Sequence, residues 1–257
     1  MMVLLISAFL ASQAADEPAA NTALENFNKA WGAAKGGDQR AAAIGQLSTT
    51  HHEKVVAKLG GYTTNEDKSV RLAAIGGLQS FTDTPELRKS ASRPLQGAIN
   101  SGVNQVDPDC RIAILNALGA LGDESSWSKV KDLWEDKELK VATAAITASG
   151  LIKSKNLVEP LINLLREFEN DLKKGQVAPP PAATSTAGKR MPVSKSAPGS
   201  AAPQQMSDAD KQKRDRAYAL QGTTQTALCT LTGQGSLKTS TDFENWWAKN
   251  KNAFPPK

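Results

Sequence analysis

One recurrence constrains this chain more than any other feature. Four segments begin with a basic residue and continue with small and branched apolar ones. They are Arg40-Ala-Ala-Ala-Ile-Gly-Gln-Leu47, Arg71-Leu-Ala-Ala-Ile-Gly-Gly-Leu78, Arg111-Ile-Ala-Ile-Leu-Asn-Ala-Leu118 and Lys140-Val-Ala-Thr-Ala-Ala-Ile146. The basic residues stand 31, 40 and 29 positions apart. Recurrence at roughly 20–50 residues marks a stacked-repeat architecture. Each segment predicts a helix with a broad apolar face, and its alanines and glycines let neighbouring helices approach closely. The 38 alanines against 13 aromatics fit packed helices better than a β-sandwich.

A second helical pattern follows each segment. His51–Leu59 carries Val55, Val56 and Leu59, and Thr84–Ile99 carries Leu87, Leu95 and Ile99, with Pro94 expected to bend it. Ser126–Glu135 carries Trp127, Val130, Leu133 and Trp134, and Asn156–Leu172 carries Leu157, Leu161, Leu164, Leu165 and Phe168. Asn156 reads as the N-cap of the last of these. A leading helix over Thr22–Ala34 places Leu24, Phe27, Ala30 and Trp31 on one face, which would cover the open end of the stack.

A further spacing is superimposed on the repeat. Asp67 precedes Arg71 by four residues, Asp107 precedes Arg111 by four, and Asp136 precedes Lys140 by four. An acid at a helix start meets the positive end of the helix dipole, and a base one turn later can pair with it. These six residues are expected to form a structural ladder along the inter-repeat loops; Arg40 lacks the acid. The plainer alternative is three separate surface pairs, each contributing a few tenths of a kcal/mol.

Val70–Leu78 and Arg111–Asp123 resemble the first helix of HEAT repeats, most of all the short bacterial HEAT-like type. The resemblance covers about residues 38–174. It implies an all-α, right-handed solenoid of stacked helical hairpins, about five pairs, whose second helices line a concave face. Most such repeats bind proteins; a minority, similar to phycobilin lyases, handle a chromophore.

Residues 175–206 interrupt the pattern. They hold six of the 13 prolines, and no aromatic occurs between Phe168 and Tyr218. Such a Pro/Ala/Ser-rich composition cannot bury a core, so a disordered linker is expected. Helical signals resume with Ser207-Asp-Ala-Asp210 and end at Gly233, and a second helix starts near Ser240-Thr241-Asp242. Leu228-Cys-Thr-Leu-Thr-Gly-Gln234 and Trp246-Trp247-Ala-Lys-Asn-Lys251 are similar to the C-terminal end of exported HEAT-repeat proteins from planctomycete-type bacteria. The expected domains are 1–14, 15–174, 175–206 and 207–257, the last a helical pair closing the solenoid.

At the N-terminus, the apolar run Val3–Ala11 and the small residues Ser12-Gln13-Ala14 resemble a secretory signal peptide cleaved after Ala14, although no Lys or Arg precedes the run. The run is too short to span a bilayer, which takes about 20 apolar residues. The expectation is an exported protein, periplasmic or secreted, with no stable membrane insertion after cleavage. The net charge of +5 does not reside in the repeats. Residues 175–206 carry +3, residues 207–257 carry +3, and the remainder −1. A nucleic-acid partner would call for a charged folded face, so none is expected.

Little in the chain invites catalysis. His51-His52-Glu53 holds the two histidines, and adjacent helical residues point about 100° apart, so the pair is a poor metal site without H-E-x-x-H spacing. Cys110 and Cys229 are expected to be separate, partly buried thiols; a disulfide would need their Cα atoms within about 7 Å. Trp246-Trp247 with Phe243 reads as a helix anchoring itself to a core, or alternatively as a stacking surface for sugars. The expected function is a non-enzymatic, protein-binding scaffold or adaptor, monomeric, with no cofactor and no metal. Its candidate contacts are Lys54, Lys58, Arg88, Lys129 and Arg166. The alternatives are a lyase-like enzyme and a carbohydrate or cell-wall binding module built on the C-terminal aromatics.

Overall fold

A computed structural model describes the backbone of residues 2–174 and 206–254, and side chains from Glu17 onward. The described residues are all helical, without strands. The helices are α1 (Met2–Ala33), α2 (Gly37–Leu47), α3 (Glu53–Gly60), α4 (Lys68–Gln79), α5 (Pro85–Ala98), α6 (Gly102–Gln105), α7 (Pro108–Leu121), α8 (Trp127–Lys131), α9 (Leu139–Leu151), α10 (Val158–Lys174), α11 (Asp208–Thr232) and α12 (Ser240–Asn250). Short 3-10 turns at Glu124–Ser126 and Lys155–Leu157 lead into α8 and α10.

The repeated apolar segments make one row of helices. α2 packs on α4, α4 on α7, α7 on α9 and α9 on α11, in chain order. Beside them, α3 packs on α5 and α10 on α12. The buried positions Ile44, Ile75, Ile114, Leu115, Ile146 and Leu228 come from successive members of the first row. They belong to one continuous apolar core that also takes in Phe27 of α1 and Phe243 of α12. Burying side chains of this size stabilises by about 1.5–3 kcal/mol each.

Close approach is set by glycines. A Cβ on Gly119 of α7 would stand 3.1 Å from the Cα of Ala148 in α9, and one on Gly150 of α9 would stand 2.8 Å from the Cα of Ala227 in α11. Helix ends follow local chemistry. Asp67 accepts from the N–H groups of Ser69 and Val70, Asp107 from that of Cys110, and Thr84 from that of Leu87. Thr239 and Asp242 form a reciprocal capping box on α12. Gly122 and Gly233 end α7 and α11 with φ of 63° and 71°, a left-handed conformation that glycine adopts without penalty.

Several boundaries depart from expectation. The leading helix is not confined to Thr22–Ala34 but runs from Met2, with Pro18 inside it. The helix expected over Ser126–Glu135 stops at Lys131, because the chain turns there and folds Leu133 and Trp134 inward; Trp134 Nε1 donates to the Ser149 hydroxyl at 2.9 Å. Ser154, not Asn156, caps the entry to α10, its hydroxyl accepting from the Asn156 N–H. α6 has no counterpart among the expected helices. It carries Asn104, fully buried, whose amide donates to the Thr63 and Ala98 carbonyls. The expected linker lies outside the described residues apart from its final residue.

Candidate functional site

The three acids of the ladder lie in the loops that enter α4, α7 and α9, and its three bases lie in the first turns of those helices. Their ion pairs run between repeats, not within them. Arg71 donates to Asp107 at 2.8 Å, and Arg111 pairs with Asp136. The second guanidinium nitrogen of Arg71 donates to the carbonyls of Asn65 and Glu66, so a single side chain ties its own loop to the next. The i,i+4 pairing expected from spacing is therefore not the one formed. Asp67 turns to its own helix end, receiving the Ser69 hydroxyl and N–H. Lys140 is exposed and joins no ion pair among the described residues.

The next rung is supplied by a residue that spacing did not identify. Arg216, near the start of α11, donates to the carbonyls of Asp136 at 3.0 Å and Trp134 at 2.7 Å. It joins the chain beyond the proline-rich stretch to the preceding loop. It stands eight residues after Asp208, more than two turns into its helix, so it does not repeat the four-residue spacing of Arg71 and Arg111 behind their acids.

Burial pushes the Asp107 carboxyl up, but hydrogen bonds from Lys68 and from Cys110, with the Lys68 charge, outweigh it and bring the pKa down to about 2. A folded-state pKa below the unfolded one contributes stability that is complete above about pH 4 and lost as pH falls toward 2. Asp107→Asn is accordingly expected to lower the urea midpoint at pH 6, with its gap from wild type closing between pH 4 and pH 2. A gap that stays constant over that interval would show that Asp107 does not carry the acid sensitivity.

The candidate partner-binding residues do not form one free basic face. Lys54 donates to Glu17 at 2.6 Å and Asn21 at 3.0 Å, holding α3 to α1. Lys58 lies over the rings of Phe27 and Tyr62 at 5.3 and 5.8 Å. Arg166 pairs with Glu244 of α12. Arg88 donates through Nε to the Thr82 carbonyl at 2.8 Å, leaving the rest of its exposed guanidinium outward. Lys129 is exposed. Internal contacts thus occupy Lys54, Lys58 and Arg166, while Arg88 and Lys129 still face solvent.

Between α3 and α5 runs a groove of about 330 Å³, lined by Glu53, Val56, Ala57, Gly60, Ser90, Arg93 and Pro94. Its floor is apolar and its rim polar. Gly60 sets its depth, since a Cβ there would stand 2.9 Å from Pro94 Cβ. Arg93 and Lys89 are exposed on the α5 side and form no ion pair among the described residues. Neither is among the contacts expected from the sequence. Their four-residue separation on a helix, which gives a basic edge, was the available signal.

Cys110 is buried and Cys229 half-buried, and both are free. Burial pushes both thiols up from their ordinary value, which leaves them poor nucleophiles. Trp246 and Trp247 are both half-buried, with ring centroids 6.1 Å apart, and Trp247 meets Phe254 edge-on. Neither ring stands mostly exposed, as a sugar-stacking platform would require. Among the described residues, no three His, Cys, Asp or Glu side chains converge as a metal site, and no helix is long and apolar enough to cross a membrane. No protein-family model matches the chain, and no curated protein matches it significantly.

Proposed function

We propose that this chain is an exported α-solenoid of HEAT-like hairpins, right-handed, that binds a protein partner along the face formed by its second-row helices. The observation that carries the reading is the order of packing: each first-row helix meets the next one in chain order, which leaves the neighbouring row as an extended surface. The groove between α3 and α5 adds an apolar floor with Arg93 in its lining and Lys89 one turn earlier on α5, and Arg88 and Lys129 are further exposed basic residues of α5 and α8. A partner segment with apolar side chains flanked by acids suits it. Export rests on the apolar run and small-residue site at residues 3–14.

The test is capture of cross-linked partners from the cell-envelope fraction with the full chain as bait, followed by affinity measurement on the partner recovered. Lys89→Glu, Arg93→Glu and Lys129→Glu combined are expected to weaken binding about tenfold or more, because reversal replaces attraction with like-charge repulsion at the rim. Lys54, Lys58 and Arg166 are left intact, since changing them would break internal contacts. Failure to recover a partner, or an affinity unchanged by the triple reversal, would defeat the proposal.

A further inference from the structure

The packing of the first two hairpins brings His51 against two residues of a distant loop, Ser80 and Asp83, which lie 29 and 32 positions further along the chain. His51 precedes α3; Ser80 ends α4; Asp83 lies in the loop before α5. His51 Nδ1 is hydrogen-bonded to Asp83 Oδ2, and His51 Nε2 stands 3.4 Å from Ser80 Oγ. This is the order of contacts that activates a serine: carboxylate to one ring nitrogen, hydroxyl at the other. Asp83 fixes the tautomer with Nδ1 protonated, so Nε2 of the neutral ring faces the hydroxyl as an acceptor.

The arrangement is held from beneath and from the side. The imidazole lies over Phe81, centroids 4.8 Å apart, and Phe81 is fully buried. The loop bearing Ser80 and Asp83 is pinned by Arg88 on the Thr82 carbonyl and by the Thr82 N–H on the Ser80 carbonyl at 2.8 Å. The neighbouring His52 is otherwise engaged, its Nδ1 accepting from the Lys54 N–H and capping α3. The Ser80 hydroxyl has two acceptors, the Gly77 carbonyl at 2.8 Å and His51 Nε2. Rotation about Cβ–Oγ transfers its proton from the first to the second, and such contacts tighten when an electrophile is bound.

We propose that Ser80 is a nucleophile, with His51 its general base and Asp83 the positioning residue, and that the site takes acyl groups from activated carboxylic esters that reach it from solvent. The inference is independent of partner binding. Ser80 Oγ forms a bond to the ester carbonyl carbon while His51 Nε2 takes the hydroxyl proton. The bond from that carbon to the alkoxy oxygen then breaks, and the alcohol leaves with the proton from Nε2. Water, deprotonated by Nε2, attacks the acyl-serine; the acid departs and Ser80 Oγ recovers its proton. The sum is ester plus water giving acid plus alcohol. The His51 and Asp83 side chains are 33% and 53% exposed, so water surrounds the site. That favours esters with good leaving groups over amides, whose amine must be expelled with more help.

The full chain is treated with a biotinylated fluorophosphonate and, separately, with p-nitrophenyl acetate, and the adduct is located by peptide mass spectrometry. Both reagents are expected to modify Ser80. His51→Gln should slow the reaction by about 10²-fold or more, the scale of general-base assistance. Asp83→Asn should slow it too, with Asp83→Glu restoring much of the rate, a rescue that a merely structural role would not produce. Wild-type chain unfolded in urea should lose the Ser80 selectivity, a comparison that needs no variant to fold. Adducts on His51 or His52 instead of Ser80, or Ser80 labelling that survives His51→Gln or unfolding unchanged, would overturn the proposal.

Discussion

Replacing Arg111 by alanine is expected to remove about 3–5 kcal/mol of folding stability, the loss that follows when one partner of a buried ion pair is taken away. The Arg111 and Asp136 side chains are only 8% and 9% exposed, so the exchange is not between solvated ions. Without Arg111, the Asp136 carboxylate keeps only the Glu138 N–H, 2.9 Å from Oδ1. The loop cannot easily swing out to hydrate it, because Arg216 holds the Asp136 and Trp134 carbonyls from the other side. The penalty is therefore the stranded charge and not the lost attraction. Urea unfolding separates the two: Arg111→Met with Asp136→Asn removes both charges while leaving an acceptor for Glu138, and should recover most of the loss. Lys140→Ala, an exposed residue of the same spacing pattern, should shift stability by no more than about 0.5 kcal/mol. An Arg111→Ala variant as mild as Lys140→Ala would mean that the pair does not hold the third and fourth repeats together.

These contrasts show where sequence reading reaches and where it stops. The first-row helices were legible because a helix with a face such as Ile112 to Leu121 must hide it, and the requirement recurs at each basic residue. Asp67 and Asp107 were legible as helix starts because capping depends on neighbours two or three residues away. The partners of Arg71 and Arg111 were not, since they lie across a packing junction, and spacing alone favours the nearest acid on the same helix. Arg216 lay beyond the proline-rich stretch, outside any visible period. The shortened α8 was hidden because Trp127, Val130, Leu133 and Trp134 satisfy a helical pattern equally well whether the last two lie on a helix or fold inward from a turn. The His51, Ser80 and Asp83 cluster joins two loops, with His51 29 residues before Ser80 and 32 before Asp83, close to the repeat period, yet nothing local in any of the three residues announces it.

The same exchange, glycine to alanine, should act with opposite sign at two first-row positions. Intrinsic preference favours alanine inside a helix by about 1 kcal/mol. At Gly76 in α4 nothing lies within 4 Å of the added methyl, so Gly76→Ala should stabilise by about 0.5–1 kcal/mol. At Gly150 the methyl would stand 2.8 Å from the Ala227 Cα and 2.9 Å from its carbonyl oxygen, both backbone atoms of α11. A flexible side chain could yield there, but a helix backbone can only move bodily. Overpacking of this kind costs about 1–3 kcal/mol, which exceeds the propensity gain. Gly150→Ala should therefore destabilise on balance, and Gly150→Leu more severely. The damage should be local. α11 meets α9 and α10, not α2 or α4, so hydrogen exchange should quicken in α11 and α12 while α2 and α4 keep their protection. Equal loss of protection along the whole chain would show one indivisible core, in which separation of α9 from α11 cannot occur without melting everything else.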